Sequence, residues 1–566
     1  MIFEISIQIL TLDMLQISDV HGYVSGQRHD KTVGDLATLL SFKEQLLRLQ
    51  PEVSQYSILV GDACEGTGLS DLTVPKCSLI YEAMSQVNFS CVIPGNHDVG
   101  STQSLQWLKK NEDTLFPYQN YVSSNVFFHD HTPLGRAFKY ETLQNGLRVL
   151  TLGFLVAGFD EYEPVYVIDQ VEALQRQHMQ DMLIEYGIKT DLLVIAMHVG
   201  SFDAQVNKTV KYLRNFFNDR LAYKIPIALL TAHSHRLFKL HCEIETDSIG
   251  EFATDDQCFN VEAGNYLKFI VQTRFQFEPI TYIYNGQAYS GHKILSVQTF
   301  PSDKNSPELL SERLKIPVQE FDTKNALLLR EKIIFQEQNL GLRTVQGFSK
   351  QRYVKQTGWD SENSIFRFWT YSVYPNIIFQ RDFVTQKIVV SHSGSLRSDI
   401  YPGEIVLDDL AAVNPFDNVI VYFKGVKADV AQCAMNALNS NDSYCYNKIV
   451  GDKPVDIITT DYDKQRIQDS LSKCGVQSTA QPYPIFEPGI FSTNQILQVY
   501  VAKYMQKEIN LIQKTINEPR KLTGTVLGFA VLGVFIVFAV TVQVFTCSCK
   551  KKKSKYQPIV QMQPVK

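Results

Sequence analysis

The chain has 566 residues, enough for two or three domains of ordinary size. Its apolar fraction of 45% and charged fraction of 20% are typical of a globular protein and exclude a largely disordered one. The net charge is −5, but the last 17 residues hold six lysines and no acid, so the other 549 residues carry −11, which does not favour a nucleic-acid-binding protein.

The chain opens with "MIFEISIQILTLD", which is fairly apolar but contains Glu4 and lacks the basic residues that begin a signal peptide. If the protein is exported, either its signal is degenerate or the true start lies upstream of Met1. The same stretch runs directly into the first predicted strand.

Short apolar runs then alternate with helix-like segments through the first 300 residues. Runs of this length, bounded by turn residues, predict strands that are buried on both faces. Spacers such as "DLATLLSFKEQLLRLQ" (35–50) predict helices between them, so we expect residues 14–300 to form one layered α/β domain. The runs are "MLQISDVH", "YSILVGD", "SCVIPGNHD", "LRVLTLGF", "DLLVIAMH" and "IPIALLTAHSH".

Metal-binding residue types stand at the ends of these runs. Ligands bind beyond the carboxyl ends of strands in α/β sheets, so we expect these side chains to converge. Carboxylate and amide oxygens with imidazole nitrogens suit two adjacent divalent cations of the Mn, Zn, Fe or Mg type. Asp62 is the expected bridging ligand, since one carboxylate can offer an oxygen to each metal. The seven candidate metal ligands are Asp19, His21, Asp62, Asn96, His198, His233 and His235.

The stretch "VIPGNHDVG" (92–100) places an imidazole and a carboxylate beside the candidate ligand Asn96. Two metals can activate a water and hold the oxygens of a phosphoryl group. His97 would then protonate the leaving oxygen or contact the phosphate. The alternative is a simple turn, because Gly and Asn tolerate left-handed backbone angles and Asp makes local hydrogen bonds.

Charged, helix-rich sequence follows at 301–344, which we interpret as a linker. Its clearest amphipathic stretch, "DTKNALLLREKIIFQEQNLGL" (322–342), is predicted to be a bridging helix. Residues 345–510 contain further strand-like runs, among them "KIVVSH" and "NVIVYFKGV", and are predicted to form a smaller second α/β domain.

Residues 522–549 include no charged side chain. A bilayer core of about 30 Å needs roughly 20 apolar helical residues, so we predict a transmembrane helix at 523–546. The lysines at 550–553 place the tail, 547–566, in the cytosol and the preceding domains in a lumenal or extracellular space, at the plasma membrane or in a lysosome or vacuole. "YQPI" at Tyr556–Ile559 fits a Tyr-x-x-apolar signal for a sorting adaptor.

Eight cysteines precede the apolar span, an even number that allows disulfides without fixing their pairing. Cys242 and Cys258 bracket an acidic loop and are the predicted bridge, with free buried thiols as the alternative. Glycosylation triplets that start at Asn88, Asn207 and Asn441 give weak support for a lumenal location.

The order Asp19-x-His21, Gly61-Asp62, "GNHD", His198 and "AHSH" resembles the signature of the calcineurin-like metallophosphoesterases. Three further segments resemble 5′-nucleotidases of that superfamily, in particular divergent members from fungal and protist endomembranes. These segments are "YVSSNV" (121–126), "VEAGNYLKFI" (261–270) and "SHSGSLRSDIYPGEIVLDDLAAVNPFDN" (391–418). The resemblance implies a four-layer αββα metallophosphoesterase domain and a 5′-nucleotidase C-terminal substrate domain, with the active site between them.

The resemblance also implies roles for individual residues. His97 matches the catalytic histidine, Arg397 an arginine that contacts the substrate, and Phe416 an aromatic residue that stacks on the nucleobase. One metal would be held by Asp19, His21, Asp62 and His235, and the other by Asp62, Asn96, His198 and His233.

The chain departs from this pattern in the residues around the substrate. Gly100 stands where related enzymes have an Asp, so the partner of His97 would be Asp98 or Glu65 instead. His392 stands where an Asn usually contacts the substrate. "VDIITTDYDKQ" (455–465) occupies the region of the segment that supplies a second stacking ring.

The expected function is that of a membrane-anchored dimetal phosphohydrolase that releases phosphate from a small phosphate monoester, with a nucleoside 5′-monophosphate as the expected substrate. Three alternatives remain open. The first is a phosphodiesterase or nucleotide-sugar pyrophosphatase of the same fold, the second a non-catalytic ectodomain, and the third a tail-anchored cytosolic protein phosphatase.

Overall fold

The computed structural model describes residues 9–116, 120–158, 164–221, 223–245, 251–300, 305–379, 385–438, 444–483 and 492–506. These residues belong to one compact unit, which ends at Gln506. Within these segments no helix has both the length and the apolar character needed to span a bilayer. The predicted transmembrane helix (523–546), the tail (547–566) with its adaptor signal, and the triplet at Asn441 lie outside the described residues.

The first part of the chain alternates strands and helices as the sequence predicts, and each of the six apolar runs contains a strand. The strands are β1 (Leu10–Ile17), β2 (Ser54–Val60), β3 (Cys91–Ile93), β4 (Val126–Phe128), β5 (Lys139–Thr142), β6 (Arg148–Leu155), β7 (Val165–Val167), β8 (Leu192–His198), β9 (Ile227–Thr231), β10 (Leu237–Glu245), β11 (Phe252–Ala263), β12 (Val271–Tyr284) and β13 (Gln287–Phe300). The helices are α1 (Leu36–Leu49), α2 (Gly68–Asp71), α3 (Ser78–Ser85), α4 (Thr102–Leu115), α5 (Gln170–Gln175), α6 (Gln177–Glu185) and α7 (Ala204–Asn218).

Two sheets face each other in this part of the chain. One has the strand order β13-β12-β1-β2-β3 and the other β10-β11-β9-β8-β6-β5. Leu12 and Met14 of β1 share a core with Val194 and Ala196 of β8, whereas Leu15 points to the opposite face, where the helices pack. The layers are therefore helices, sheet, sheet and helices, which is the predicted αββα order.

The strand directions bring the polar run ends to one edge. β1, β2 and β3 are parallel in the first sheet, and β6, β8 and β9 are parallel in the second. Because parallel strands end at a common edge, the residues that follow them come together there.

The remaining elements form the linker and a second, smaller α/β region. Its helices are α8 (Pro307–Leu314), α9 (Lys324–Asn339), α10 (Ile365–Phe368), α11 (Tyr374–Ile377), α12 (Leu407–Val413), α13 (Ala428–Leu438), α14 (Lys464–Lys473) and α15 (Thr493–Tyr504). Its strands are β14 (Val345–Ser349), β15 (Gln386–His392), β16 (Gly403–Val406), β17 (Ile420–Val426), β18 (Tyr444–Tyr446), β19 (Val455–Thr460) and β20 (Gln481–Pro482).

Helix α9 lies inside the stretch predicted to bridge the domains, and its apolar side belongs to the N-terminal core. Leu329 and Ile333 are buried in the cluster that contains helix α1. Arg330 forms ion pairs with Asp35 at 2.6 Å and Asp322 at 2.7 Å. The bridging helix is thus attached to the N-terminal domain.

The C-terminal sheet has the order β18-β15-β19-β17-β20 and a core on each face. Val389 and Ile458 point into one core, which includes residues of α10, α11 and α15. Ile388 and Ile457 point into the other, which includes residues of α13 and α14. This sheet with helices on both sides is the second α/β domain that the sequence predicts.

Three disulfides connect Cys64 with Cys77, Cys242 with Cys258, and Cys433 with Cys474. The predicted bridge between Cys242 and Cys258 is therefore present. Among the described cysteines, Cys91 and Cys445 carry buried free thiols.

Candidate metal centre and active site

The structure brings the predicted metal ligands together at the common edge of the two sheets. Ligand atoms of Asp19, His21 and His235 lie within 4.8 Å of one another, and the same holds for Asp62, His198 and His233. These two groups agree with the two metal sets that the family resemblance implies.

The buried polar atoms of this cluster indicate whether it fits a cation. Among the residues that the structure describes, Asn96 Oδ1 is buried and has no hydrogen-bond partner, and the buried His198 Nε2 lies 3.1 Å from Asp62 Oδ2. A buried polar group left unpaired costs about 1–3 kcal/mol. An amide oxygen and an imidazole nitrogen beside carboxylates are donor atoms that a divalent cation accepts. The cluster therefore fits two divalent metal ions.

Backbone contacts orient the histidine rings. The Nδ1 atom of His198 lies 3.0 Å from the carbonyl oxygen of Val60, and Nδ1 of His21 lies 2.9 Å from that of Glu65. An Nδ1–H that donates to a carbonyl leaves Nε2 free for a metal. Burial and the Arg397 guanidinium lower the pKa of His21 well below its usual value, which favours the neutral, metal-binding form.

The loops that carry the ligands adopt unusual backbone angles. A positive φ is rare outside glycine and costs energy that the surrounding structure must supply. The loops are tied to each other, because Asp19 N donates to Gly61 O at 3.0 Å and His21 N donates to Asp62 O at 2.9 Å. Six site residues have positive φ: Asp19, His21, Asp62, Glu65, His233 and His235.

Two glycines allow the strand ends to approach closely. A Cβ atom on Gly95 would lie 2.1 Å from Asp62 Oδ1, and one on Gly61 would lie 2.4 Å from His198 Nδ1. Gly61 also has a φ of +72°. Any side chain at either position would displace a predicted metal ligand.

His97 lies beside the metal cluster and is paired with Glu65. Its Nδ1 is 2.6 Å from Glu65 Oε1, and its backbone N–H donates to Asp62 Oδ1 at 2.9 Å. Burial lowers the pKa of His97, but the carboxylates of Glu65 and Asp62 outweigh burial and raise it. These carboxylates therefore favour the protonated form of His97.

Asp98 is not the partner of His97 in this geometry, and a catalytic role for it remains a prediction. Asp98 accepts hydrogen bonds from the backbone N–H groups of Gly95 at 2.8 Å, Cys64 at 3.1 Å and Ala63 at 3.4 Å. Its carboxylate thus joins the loops that follow β2 and β3, while Glu65 is the partner of His97. Sequence left both candidates open because each is close to His97 or Asp62 along the chain.

Arg397 reaches this cluster from the C-terminal domain. Its Nη2 lies 3.0 Å from Nδ1 and 3.1 Å from Nε2 of His21, and its Nη1 lies 3.5 Å from His97 Nε2. Its buried Nε has no hydrogen-bond partner in the described part of the chain. The ring of Phe416 lies 5.7 Å from the guanidinium carbon. A phosphate at this point would meet a cation and two imidazoles.

His392, the third predicted substrate residue, lies in an aromatic group of the C-terminal domain. Its ring centroid is 5.5 Å from that of Tyr444 and 6.2 Å from that of Tyr462. Its Nδ1 accepts a hydrogen bond from Gly394 N at 3.0 Å, and burial lowers its pKa. A contact with substrate remains a prediction for this residue.

Tyr462 is not among the residues predicted from the sequence, although it lies in the segment "VDIITTDYDKQ", which occupies the region of the family's second stacking ring. Its side chain is 59% exposed. Its loop is joined to the Phe416 loop, because Asp461 N donates to Val419 O at 2.9 Å and Val419 N donates to Asp461 Oδ1 at 3.0 Å. The aromatic character of position 462 was the signal that could have identified it.

Asn265 and Tyr266 were also missed as individual residues, although the segment "VEAGNYLKFI" was singled out. The side-chain amide of Asn265 lies 3.0 Å from Nδ1 of His235. The Tyr266 ring centroid lies 5.5 Å from those of His21 and His235. Both residues therefore position the rings of predicted metal ligands.

Both parts of the chain match known protein families. Residues 12–237 match the calcineurin-like phosphoesterase family. Residues 351–483 match the NAD nucleotidase C-terminal domain family. A secreted protein from Arthroderma benhamiae is 22% identical over 76% of this chain and 67% of its own length.

Solved structures share the fold. A 5′-nucleotidase from Candida albicans superposes with a TM-score of 0.75 at 18% identity, over 88% of this chain and 99% of that one. A 5′-nucleotidase precursor from Thermus thermophilus gives a TM-score of 0.61 at 14% identity, over 88% and 97% of the two chains. The chain is thus a metal-dependent phosphoesterase in which a calcineurin-like phosphoesterase domain precedes a C-terminal domain of the 5′-nucleotidase type.

Proposed function

We propose that the protein hydrolyses nucleoside 5′-monophosphates and releases inorganic phosphate. This proposal rests mainly on Arg397, which extends from the C-terminal domain and contacts His21 and His97 of the N-terminal domain. Phe416 lies directly beyond the guanidinium. A phosphate bound at Arg397 would therefore present its organic group to the C-terminal domain.

The chain's own residues account for the proton that the reaction needs. Bound divalent cations would activate a water and hold the phosphoryl oxygens. The water oxygen forms a bond to phosphorus, the bond to the ester oxygen breaks, and His97 gives its proton to the departing oxygen. Glu65 raises the pKa of His97, which favours its protonated form, and fixes the direction of its ring.

Aromatic residues support a nucleoside as the organic group. Phe416 is half-buried and Tyr462 is exposed, and backbone bonds join their loops. Stacking of a base on an aromatic side chain contributes about 1–3 kcal/mol and accepts any base. This arrangement favours nucleotides over phosphate esters that lack a ring.

The proposal includes the location that the sequence predicts: a single-pass anchor at 523–546, lumenal or extracellular catalytic domains and a cytosolic tail with a sorting signal. The uncharged stretch and the lysines after it support this orientation. Three disulfides fit an oxidising compartment. Protease protection of the domains in sealed membranes, with cleavage of the tail alone, is the expected result.

The test of the activity is a substrate panel with the full-length protein in detergent and Mn²⁺. We expect chelator-sensitive release of phosphate from AMP. Release from an aryl phosphate alone would reject the nucleotide. Cleavage of UDP-glucose or a cyclic nucleotide in preference to AMP would support the pyrophosphatase or phosphodiesterase alternative. Metal binding without turnover would indicate a non-catalytic ectodomain.

A further inference from the structure

Helix α7 and strand β10 enclose a groove of about 860 Å³ on the N-terminal domain. β10 is the last strand in its sheet, so in the described part of the chain no strand pairs with its outer side. Three apolar side chains that line the groove face solvent: Phe202 is 70% exposed, Phe252 56% and Leu240 49%. An open strand edge beside apolar side chains promotes association with other chains unless something covers it.

Asn207, a residue of α7 that lines the groove, contacts the outer side of β10. Its Oδ1 accepts a hydrogen bond from Glu245 N at 3.3 Å, and its Nδ2 donates to Glu243 O at 3.5 Å. A side-chain amide nitrogen carries two hydrogens. Because the bond to Glu243 uses one of them, the other can be replaced by a covalent substituent without loss of the pairing with β10.

The sequence around Asn207 provides a reason for such a substituent. Asn207-Lys208-Thr209 is one of the glycosylation triplets, and its middle residue is not proline. Cys242, which also lines the groove, forms a disulfide with Cys258, as fits an oxidising compartment. The acceptor triplet, the groove and the disulfide therefore lie together at one edge of the sheet.

The walls of the groove suit a sugar ring, which has an apolar face of C–H groups and a rim of hydroxyls. The rings of Phe202 and Phe238 lie 4.8 Å apart and offer an apolar surface. Asp203 and Glu243, both exposed, line the groove as well and can accept hydrogen bonds from hydroxyls. Apolar walls with a few polar groups are typical of sites that bind small organic groups.

We propose that Asn207 carries an N-linked oligosaccharide whose first sugars lie in this groove and cover the edge of β10. This inference rests on the lumenal or extracellular location included in the proposed function. Asn207 Nδ2 forms a bond to the anomeric carbon of a sugar that is supplied as a lipid-diphosphate oligosaccharide. The bond from that carbon to the diphosphate oxygen breaks and leaves its electron pair on the oxygen, while Nδ2 releases one proton.

Occupancy is tested on the full-length protein, purified from membranes of the cells that naturally produce it, by mass spectrometry of intact glycopeptides. We expect a glycan at Asn207, which Thr209→Ser should retain because it preserves the triplet, and which Asn207→Gln should remove. Asn215→Gln, at an exposed amide of α7 outside any triplet, is the matched control. Glycans at Asn88 or Asn441 with an unmodified Asn207 would overturn the inference and leave the location intact.

Unmodified asparagine in all three triplets would overturn both the inference and the lumenal or extracellular location. Phosphate release from AMP, assayed on the same preparation, decides the proposed activity separately. The kcat on AMP should be the same for Asn207→Gln and the wild-type protein, because Asn207 is not among the residues of the proposed reaction.

Enzymatic removal of the glycan from the folded protein tests whether the sugars lie in the groove. Phe202→Ser and Phe252→Ser should each accelerate removal from Asn207 about tenfold, since each deletes an apolar contact. Tyr371→Ser, at an exposed aromatic residue of the C-terminal domain, is the control. After removal, amide hydrogens of β10 should exchange faster, whereas those of α6 should not. Equal removal rates in all variants, or unchanged exchange in β10, would show that the sugars extend into solvent and would overturn the groove assignment.

Discussion

The two domains contribute to the active site in different ways. The N-terminal domain supplies the predicted metal ligands Asp19, His21 and His198, all 0% exposed, from the ends of buried strands and the loops that follow them. The C-terminal domain carries the proposed base contacts, which are Phe416, half-buried, and Tyr462, 59% exposed, on loops at its surface.

The two domains therefore differ in how much change their site residues tolerate before the reaction is lost. A metal ligand displaced by about 1 Å no longer coordinates well, so its loop must be fixed by neighbouring bonds. A loop that contacts the organic part of a substrate can change sequence without disturbing the reacting atoms. In this chain all seven predicted metal ligands are present, and most departures from the resemblance lie among the residues around the substrate.

The largest loss should follow Asp62→Asn, because Asp62 lies in the more constrained region and is the predicted bridge between the metals. We expect activity to fall by more than the roughly 100-fold that loss of a residue supporting the ligands causes. Bound metal, measured by mass spectrometry, should fall in parallel. Asp181→Asn, at an exposed position of α6, is the control. Full activity of the Asp62 variant would contradict the metal assignment.

His97→Gln should lower kcat on AMP by about 10²–10⁴-fold, as expected for loss of a general acid. Metal content should stay at the wild-type level, which separates this residue from the ligands. Glu65→Gln should have a smaller effect and should have none when His97 is already replaced, because Glu65 acts through His97. Additive losses in the double variant would show that Glu65 has a separate function.

Substitutions of the aromatic residues in the C-terminal domain should change the affinity for the substrate and leave the rate of the chemical step unchanged. Phe416→Ala and Tyr462→Ala should each raise the KM for AMP about 5- to 100-fold, the equivalent of one lost stacking contact. The kcat on an aryl phosphate should be unchanged. Tyr371→Ala, an exposed aromatic residue elsewhere in the C-terminal domain, serves as control. Equal losses on both substrates would indicate that these rings support the fold and not the base.

The smallest effect should come from Asp408, whose Oδ1 accepts a hydrogen bond from Gly68 N of the N-terminal domain at 2.8 Å. Burial raises the pKa of Asp408 to about 6, so the folded protein binds a proton here that the unfolded chain releases near pH 4. Stability from this group is therefore greatest below pH 4 and decreases as the pH rises through 6.

Asp408→Asn keeps the acceptor and removes the charge. The variant should therefore melt a few degrees above the wild-type protein at pH 7.5, and the difference should disappear near pH 4. Thermal unfolding at the two pH values measures this. A variant that melts lower at both values would show that the carboxylate stabilises the contact between domains.

The sequence was sufficient to predict the strands of the N-terminal domain and the positions of the loops that carry the predicted metal ligands. A buried parallel strand requires an uninterrupted apolar run, and a metal requires particular donor atoms at its end, so both constraints are visible in local sequence. The helix α9 was also anticipated, although the domain on which it packs was not.

Contacts between distant segments could not be read in the same way. The choice of Glu65 over Asp98 as the partner of His97 depends on loop geometry, because both carboxylates are close by in sequence. The bridges of Cys64 with Cys77 and Cys433 with Cys474 were left open because eight cysteines allow many pairings.

The strand order of the first sheet affects the order in which the protein can fold during its synthesis on the ribosome. β1 lies between β2 and β12, and Leu10 pairs with Phe277, so the first strand waits for its second neighbour until almost 280 residues have been made. All seven predicted metal ligands have emerged by then, whereas Arg397 has not. A nascent chain can therefore fold its metal-binding domain before Arg397, the predicted substrate contact, has been synthesised.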